Sequence, residues 1–315
     1  MTTYIVRRVL QAIPTVFVAS VLVWALVYAL PGDPVVAILG EDANPEAVIA
    51  ERERLGLDQP IYAQYVTWVV NVFQGDLGYS YFGGEPVLDR ISRRVMPTVQ
   101  LGLVAFVIAC VLALPIAAFG SLKPQSFLGR TVSVQSVLSL SLPTFWVGIL
   151  FILFFAVRWG IFPSVSDYHP LWSDPVLALK NIFLPGLTLG IFVSAIFGRF
   201  LRQALGEVLS KDYVRTARSK GLKESIVVGR HALRNALLPF VTIAGLQVSS
   251  FISGSVVTES VFSYPGIGRL VYTAILQRDY ALIQGTTLLI VVAVTVINLV
   301  VDIIYAYLDP RISYA

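Results

Sequence analysis

The chain has 315 residues, of which 56% are hydrophobic and only 13% are charged, with a formal net charge of +4. Soluble domains carry about 25% charged residues, so a soluble enzyme and a disordered chain are both excluded. A single cysteine, Cys110, excludes an intrachain disulfide. The composition predicts an integral membrane protein.

Six apolar runs are long enough to cross a bilayer as helices, which takes about 20 residues each. The fourth run is the shortest, but Arg199 and Arg202 at its end can extend to the membrane interface. Pro143 in the third run predicts a kink. These runs predict an all-α membrane protein with six transmembrane helices, at Val9–Gly32, Val95–Leu122, Thr131–Val157, Asn181–Gly198, Asn235–Thr258 and Tyr280–Val301.

The basic residues predict the orientation of these spans. With a cytoplasmic N-terminus, the inner segments hold fourteen of the 23 basic residues but only five of the 19 acidic residues. Cytoplasmic loops carry the excess of Lys and Arg in membrane proteins. Both termini are therefore expected in the cytoplasm.

This topology divides the chain into three segments. Residues 1–32 form the N-terminal segment with the first span, and residues 33–94 form an extracytoplasmic segment with helical stretches at Pro45–Leu55 and Ile61–Phe73. Residues 95–315 form the core, in which residues 199–234 are the long inner loop.

Most catalytic and ion-coupling chemistry is missing from this sequence. His169 and His231 have no partners at metal-ligand spacing, so no metal site is expected. The G-x-x-x-x-G-K-[ST] phosphate loop is absent, and the positive-inside bias explains the basic residues without nucleic acid. The spans carry essentially no ionisable groups at depth, which disfavours a stand-alone secondary transporter or channel. A membrane-embedded protease is weaker still, because no span holds a histidine that could activate a serine.

Two spans carry rows of small or polar residues. Gly186, Gly190, Ser194 and Gly198 recur every four residues in the fourth span, which is typical of close helix packing in lipid. In the fifth span the polar residues can either pack against another helix or line a pathway. The candidate pathway residues are Ser249, Ser250, Ser253 and Thr258.

The inner loop predicts two short helices joined at a glycine. Ser210 or Asp212 can cap the first helix, and Gly221 can end it in the left-handed conformation. The second helix starts near Lys223 and continues towards Pro239. The pair would form a shaped projection from the membrane, and the alternative is a solvated basic loop.

Motifs along nearly the whole chain resemble the B-type permease subunits of ATP-binding-cassette (ABC) importers for dipeptides, oligopeptides and nickel. The matching stretches are Arg7-Arg8, Gln11–Pro14, Leu30–Pro34, Leu55–Pro60, Gly75–Ser80, Ser141–Trp146, Asp212–Leu222, Arg230–Ala236, Glu259–Gly268 and Leu308–Arg311.

The resemblance implies a type I ABC importer fold in which the inner loop couples the permease to an ATPase. Importers broadly carry Glu-Ala-Ala, three residues and Gly in this loop, whereas this chain has Arg215-Thr216-Ala217 followed by Gly221. The coupling residues implied by the resemblance are Asp212, Tyr213, Arg215, Thr216, Ala217, Arg218, Gly221, Arg230 and Arg234.

The resemblance also implies the partners and the mechanism. The chain would pair with a paralogous permease in a bacterial plasma membrane. Two ABC ATPases would bind the ATP and Mg²⁺, and an extracytoplasmic binding protein would deliver short peptides. The chain itself would be a non-catalytic subunit without a cofactor, and nickel or another small solute is the alternative cargo. The implied outer gate or binding-protein contact consists of Glu259, Tyr264, Pro265 and Gly266.

Overall fold

The structure is a computed structural model that describes residues 2–29, 33–40, 42–122, 125–127, 134, 138–139 and 141–308. Over these residues the regular structure is helical, apart from one isolated antiparallel bridge between Tyr79 and Pro86. The helices are α1 (Thr2–Ala29), α2 (Pro34–Leu39), α3 (Pro45–Arg54), α4 (Ile61–Phe73), α5 (Val87–Leu122), α6 (Thr144–Phe151), α7 (Pro175–Leu209), α8 (Asp212–Ser219), α9 (Glu224–Ile226), α10 (Leu233–Val261), α11 (Ile267–Gln277) and α12 (Tyr280–Leu308).

Two wide helical turns interrupt this pattern. A π-helical stretch, Ile152–Arg158, continues α6, and a second one, Val227–Ala232, joins α9 to α10. In such turns the backbone bonds span five residues instead of four, so the second stretch shifts the register of α10 relative to α9.

Four of the described helices are long and apolar enough to cross a membrane. They confirm the first, second, fourth and sixth predicted spans as apolar helices. The four candidate spans are Ile5–Leu26 within α1, Val87–Leu122 (α5), Pro175–Leu209 (α7) and Tyr280–Ile304 within α12.

The other two predicted spans are not established as membrane-crossing helices. Much of the third, Thr131–Val157, lies outside the described residues, and its remainder is the shorter apolar helix Thr144–Arg158. At Pro143 the backbone is extended, with φ −62° and ψ 132°, so the predicted kink is a break in the helix. The fifth, Asn235–Thr258, lies within the 29-residue helix α10. The total of six spans and the orientation of the termini stay predictions.

Contacts between residues divide the chain into two units. The first unit comprises Met1–Thr98 and Pro265–Leu299, and the second comprises Val99–Tyr264 and Val300–Ala315. Helices α5 and α12 each contribute to both.

The first unit has its core where α5, α11 and α12 meet. Buried aliphatic side chains from the three helices form one cluster, and Thr98 Oγ1 accepts a hydrogen bond of 2.8 Å from the backbone N–H of Ile267 at the start of α11. This bond satisfies one of the amides that a helix N-terminus leaves without a helical partner. The cluster consists of Val87, Ile91, Leu270, Ala274, Leu282 and Ile283.

The second unit has its core between α5, α7 and α10. Phe197 of α7 packs edge-to-face between two other rings, with centroids 5.9 Å from Phe106 and 5.1 Å from Phe240. Alanines of α5 lie in the same cluster and keep the backbones close. Such packing stabilises helices in lipid through dispersion contacts, because water no longer drives their association.

The small-residue row of α7 faces α5, as its spacing predicted. A Cβ atom added at Gly186 would lie 2.8 Å from Val104 Cγ1, and one at Gly190 would lie 2.7 Å from Ile108 Cγ2 and 3.0 Å from the backbone oxygen of Ala105. Only glycine permits this approach, so the packing function of the row is confirmed.

Candidate functional site

The helix α8 is the centre of the inner loop and begins directly after α7. Lys211 stands before it in an extended conformation without a capping side chain. The predicted cap at Ser210 is wrong, because the hydroxyl of Ser210 donates to the carbonyl of Glu207 over 2.7 Å and closes α7 instead. Asp212 occupies the first turn of α8, where a negative charge is favourable to the helix dipole.

Gly221 ends this segment as predicted. Its φ is +74°, which is the left-handed region that glycine enters at low cost. Its amide donates to the carbonyl of Arg218 over 2.9 Å. A Cβ at Gly221 would meet nothing within 4 Å, so the constraint within the chain is on the backbone and not on space.

One face of α8 is buried against the rest of the second unit. Val214 is fully buried and Ala217 is 6% exposed, and both pack against Val227. Val208 and Leu209 of α7 complete the small cluster. An exposed helix of eight residues is not stable alone, so this apolar contact holds α8 against the end of α7 and the π-helical stretch before α10.

The opposite face of α8 is charged and exposed. Arg215 is paired with Asp212 over 3.5 Å, and both side chains are largely in solvent. Thr216 is exposed as well and donates to the carbonyl of Asp212 over 3.0 Å. Such exposed pairs contribute little to stability, which leaves this face available to a partner.

An ion pair connects α8 to the segment that follows Gly221. Arg218 donates to Glu224 through Nε over 3.2 Å and through the terminal nitrogen over 2.6 Å. The hydrogen bond lowers the pKa of Glu224 below its usual value and raises that of Arg218. Two parallel bonds of this kind fix the relative orientation of the two groups.

A second bond connects α8 to α10. Asn235 Nδ2 donates to the hydroxyl of Tyr213 over 3.0 Å and to the carbonyl of His231 over 2.9 Å. Sequence reasoning gave no role to Asn235 or Glu224, although Asn235 lies in the motif that carries the resemblance. Arg230 and Arg234 are exposed on the same approach to α10. The loop is therefore a shaped element and not a solvated chain.

At the other end of α10, polar groups are buried in the second unit. Glu259 and Tyr264 have no exposed surface and Thr258 is 1% exposed. The amide of Tyr264 donates to the carbonyl of Glu259 over 2.8 Å. Neither the hydroxyl of Tyr264 nor that of Thr258 has a hydrogen-bond partner among the described residues. Burial raises the pKa of Tyr264, and the charges of Tyr168 and Glu259 raise it further.

The other residues predicted for this end and for the pathway lie in different surroundings. Pro265 and Gly266 precede α11 in the first unit, where Gly266 accepts a bond of 3.2 Å from the amide of Leu270. On α10, Ser249 is half-buried and Ser250 is exposed, whereas Thr258 lies about 180° around the helix from Ser249. The Ser253 side chain lies outside the described residues. The assignment of these four residues to a pathway stays a prediction.

No group of three or more His, Cys, Asp or Glu side chains could hold a metal ion within the described part of the chain.

Residues 109–314 match the family described as "binding-protein-dependent transport system inner membrane component", and residues 1–102 match the N-terminal family of the same components. The chain belongs to this family. As an inner membrane component it is a permease subunit of ABC importers, a non-catalytic part of an assembly that also needs ATPase and substrate-binding partners.

Relatives of this inner membrane component match over its full length. The glutathione transport system permease protein GsiC of Escherichia coli (strain K12) is 40% identical over 314 residues, covering 100% of both chains. A putative peptide transport system permease protein of Brucella abortus (strain 2308) is 40% identical over the same length, again covering 100% of both.

Solved structures share the fold of this inner membrane component. A MetNI methionine ABC transporter in an inward facing conformation matches with a TM-score of 0.58 and 19% identity, covering 70% of this chain and 96% of that chain. An amino acid ABC transporter crystallised with histidines matches with a TM-score of 0.53 and 15% identity, covering 70% and 94%.

Proposed function

We propose that this chain forms half of the transmembrane pathway of an ATP-driven importer of short peptides, with a paralogous permease as the other half. The observation that carries the peptide assignment is the 40% identity, over the full length, to permeases named for glutathione and peptide transport. ATP binding and hydrolysis on two partner ATPases drive the cycle, and an extracytoplasmic binding protein supplies the peptide.

In this proposal α8 is the part of the chain that contacts an ATPase. Its buried face, Val214 and Ala217, anchors it to the permease, and its exposed face offers Arg215 and Thr216 to an acidic groove. Arg218 connects α8 to Glu224 of α9, and Tyr213 connects it to Asn235 in the first turn of α10. A displacement of α8 is thereby passed to α10, which is how a two-state element is biased from one end.

Glu259 and Tyr264 form the outer gate in this proposal, together with Pro265 and Gly266. The burial of Glu259 and Tyr264 supports a gate more than a surface for the binding protein, since buried side chains have no area to offer a partner. The hydroxyls of Tyr264 and Thr258 have no partner among the described residues. An unpaired buried hydroxyl costs about 1–3 kcal/mol, so a rearrangement that gives these groups water or a peptide to bind is favoured.

The pathway in this proposal passes along the side of α10 that carries Ser249 and Ser250. Ser250 is exposed on α10, and a hydroxyl at such a position can exchange bonds with the amide groups of a passing peptide.

The test is uptake by proteoliposomes that contain this chain, the paralogous permease, both ATPases and the binding protein. ATP-dependent accumulation of a radiolabelled dipeptide or of glutathione is expected. ⁶³Ni²⁺ is measured in parallel, and nickel uptake without peptide uptake would replace the peptide assignment with the nickel alternative.

The matched control omits the partners. Liposomes with this chain alone should take up nothing, and peptide uptake by the chain alone would refute the subunit assignment. In a second control, ATP is replaced by a non-hydrolysable analogue. The assembly should then bind peptide, but the liposomes should not accumulate it.

A further inference from the structure

Helix α4, in the segment between α1 and α5, carries three distinct faces. One face holds Tyr65 against α1, with Trp68 beside Tyr65, and a second face bears Thr67 and Asn71. The third face is apolar and exposed, with 75% of Tyr62, 57% of Val66, 47% of Val70 and 88% of Phe73 accessible. Those four residues follow the spacing of a single helical stripe.

Contacts with α1 place α4 beside the apolar part of that helix. The hydroxyls of Tyr65 and Ser20 are hydrogen-bonded over 2.8 Å, and the ring of Tyr65 packs edge-to-face on Trp24 with centroids 5.6 Å apart. Ser20 and Trp24 both lie within the apolar span Ile5–Leu26. Both residues lie in the C-terminal half of that span.

Helices α3 and α4 differ in their content of charged residues. The sequence of α4 contains no charged residue between Asp58 before it and Asp76 after it. In contrast, α3 carries Glu46 in its first turn and two arginines in its last turn, and it buries none of its residues. Of the two helices, only α4 can enter the acyl region without burying a charge.

We infer that α4 lies along the membrane interface, with Tyr62, Val66, Val70 and Phe73 among the lipid acyl chains of the leaflet at the Leu26 end of α1. Helix α1 exposes apolar side chains as well, which include Phe17 and Leu22. An amphipathic helix of this kind inserts its apolar face about 5–10 Å below the headgroups, and the contacts of Tyr65 with Ser20 and Trp24 hold α4 beside the apolar part of α1.

The polar contacts of α4 suit this position. The Tyr65 and Ser20 hydroxyls satisfy each other, as buried polar groups must where no water is present. The side-chain amide of Gln64 also bonds locally, since its Nε2 donates to the carbonyl of Gln59 over 2.8 Å. Thr67 and Asn71 point away from the apolar stripe and remain in contact with water and headgroups. Basic residues predict that this leaflet is the outer one.

The experiment is a spin-label scan of the assembled transporter in nanodiscs of phosphatidylethanolamine and phosphatidylglycerol. Cys110, the single cysteine, is replaced by Ala, and one new cysteine is placed at Val66 or Val70. Collision of the label with oxygen, which partitions into lipid, is compared with collision with a water-soluble nickel chelate. We expect an oxygen-to-nickel accessibility ratio several-fold higher at Val66 and Val70 than at the matched controls Thr67 and Asn71.

Two results would overturn the inference. Equal ratios at Val66 and Asn71 would place the apolar face in water. Protection of Val66 and Val70 from both oxygen and the nickel chelate would mean that protein covers the face, either the binding protein or the paralogous permease, and repeating the scan without the binding protein distinguishes these two.

Discussion

The side-chain amide of Asn235 donates to the hydroxyl of Tyr213 over 3.0 Å, and this bond joins α8 to the first turn of α10. Together with the Arg218–Glu224 pair, it attaches α8 both to α9 and to the N-terminal end of the helix that carries the proposed pathway.

Tyr213→Phe should uncouple ATP hydrolysis from transport. The substitution keeps the ring but removes the hydroxyl. A hydrogen bond of this kind contributes about 1 kcal/mol, which changes the equilibrium constant between the two states of the coupled helices several-fold. We expect the peptide transported per ATP hydrolysed to fall several-fold in proteoliposomes. Ser210→Ala removes another exposed hydroxyl of the loop and serves as the control. An unchanged ratio in Tyr213→Phe would contradict the coupling path.

Gly221 variants should separate backbone strain from bulk. Asn tolerates the left-handed conformation, so Gly221→Asn should keep most of the transport activity. Gly221→Val should lose more, because a β-branched residue is strained at a φ of +74°. Since no described atom lies within 4 Å of a Cβ there, Gly221→Trp should abolish coupled uptake through its bulk at the ATPase while the chain still inserts in the membrane. Normal uptake by Gly221→Trp would argue against docking at this position.

Gly190→Leu should destabilise the second unit, because its Cβ would lie 3.0 Å from the backbone oxygen of Ala105, and backbone cannot rotate away. Overpacking of this kind costs about 1–3 kcal/mol. Gly206→Leu on the same helix is the matched control, since a Cβ there meets nothing within 4 Å. Thermal unfolding of the purified variants in nanodiscs measures the difference, and equal midpoints for the two would refute the packing argument.

Asp279→Ala should destabilise the first unit. The carboxylate of Asp279 is fully buried, 3.8 Å from the guanidinium of Arg90, and it accepts hydrogen bonds from the Ser80 hydroxyl and, over 3.2 Å, from the amide of Leu282. Removing one member of a buried pair costs about 3 kcal/mol or more. Glu85→Ala removes a half-exposed carboxylate that also pairs with Arg90, and it should cost much less. The free energy of unfolding of both variants is the measurement.

Local features of the fold could be predicted from the sequence. The stretch Ile61–Phe73 was predicted as a helix from its residues and is α4 with the same bounds, because its apolar stripe and the flanking Pro60 act locally. Gly221 was placed at a helix end for a similar reason. Long runs without charge also identified four apolar helices, since such runs have few stable alternatives in a membrane.

Features that depend on distant contacts could not be predicted. Tyr213 and Asn235 are 22 residues apart, and nothing in either neighbourhood indicates that they meet. Asp279 and Ser80 are separated by 199 residues, so the burial of that carboxylate has no local signal. The error at Ser210 has a local origin: its hydroxyl could bond to the helix before it or to the helix after it, and the backbone turn after α7 directs it to Glu207.

The core of the first unit unites Val87 and Ile91 of α5 with Leu282 and Ile283 of α12, nearly two hundred residues later in synthesis. At roughly 5–20 residues per second, a ribosome needs on the order of 10–40 s to synthesise the residues between these two parts of the core. During that interval the side of α5 that packs against α12 is exposed. We therefore expect chains truncated after Tyr264 to be degraded faster than full-length chains in a pulse-chase measurement; equal lifetimes would show that the early helices are protected without the late ones.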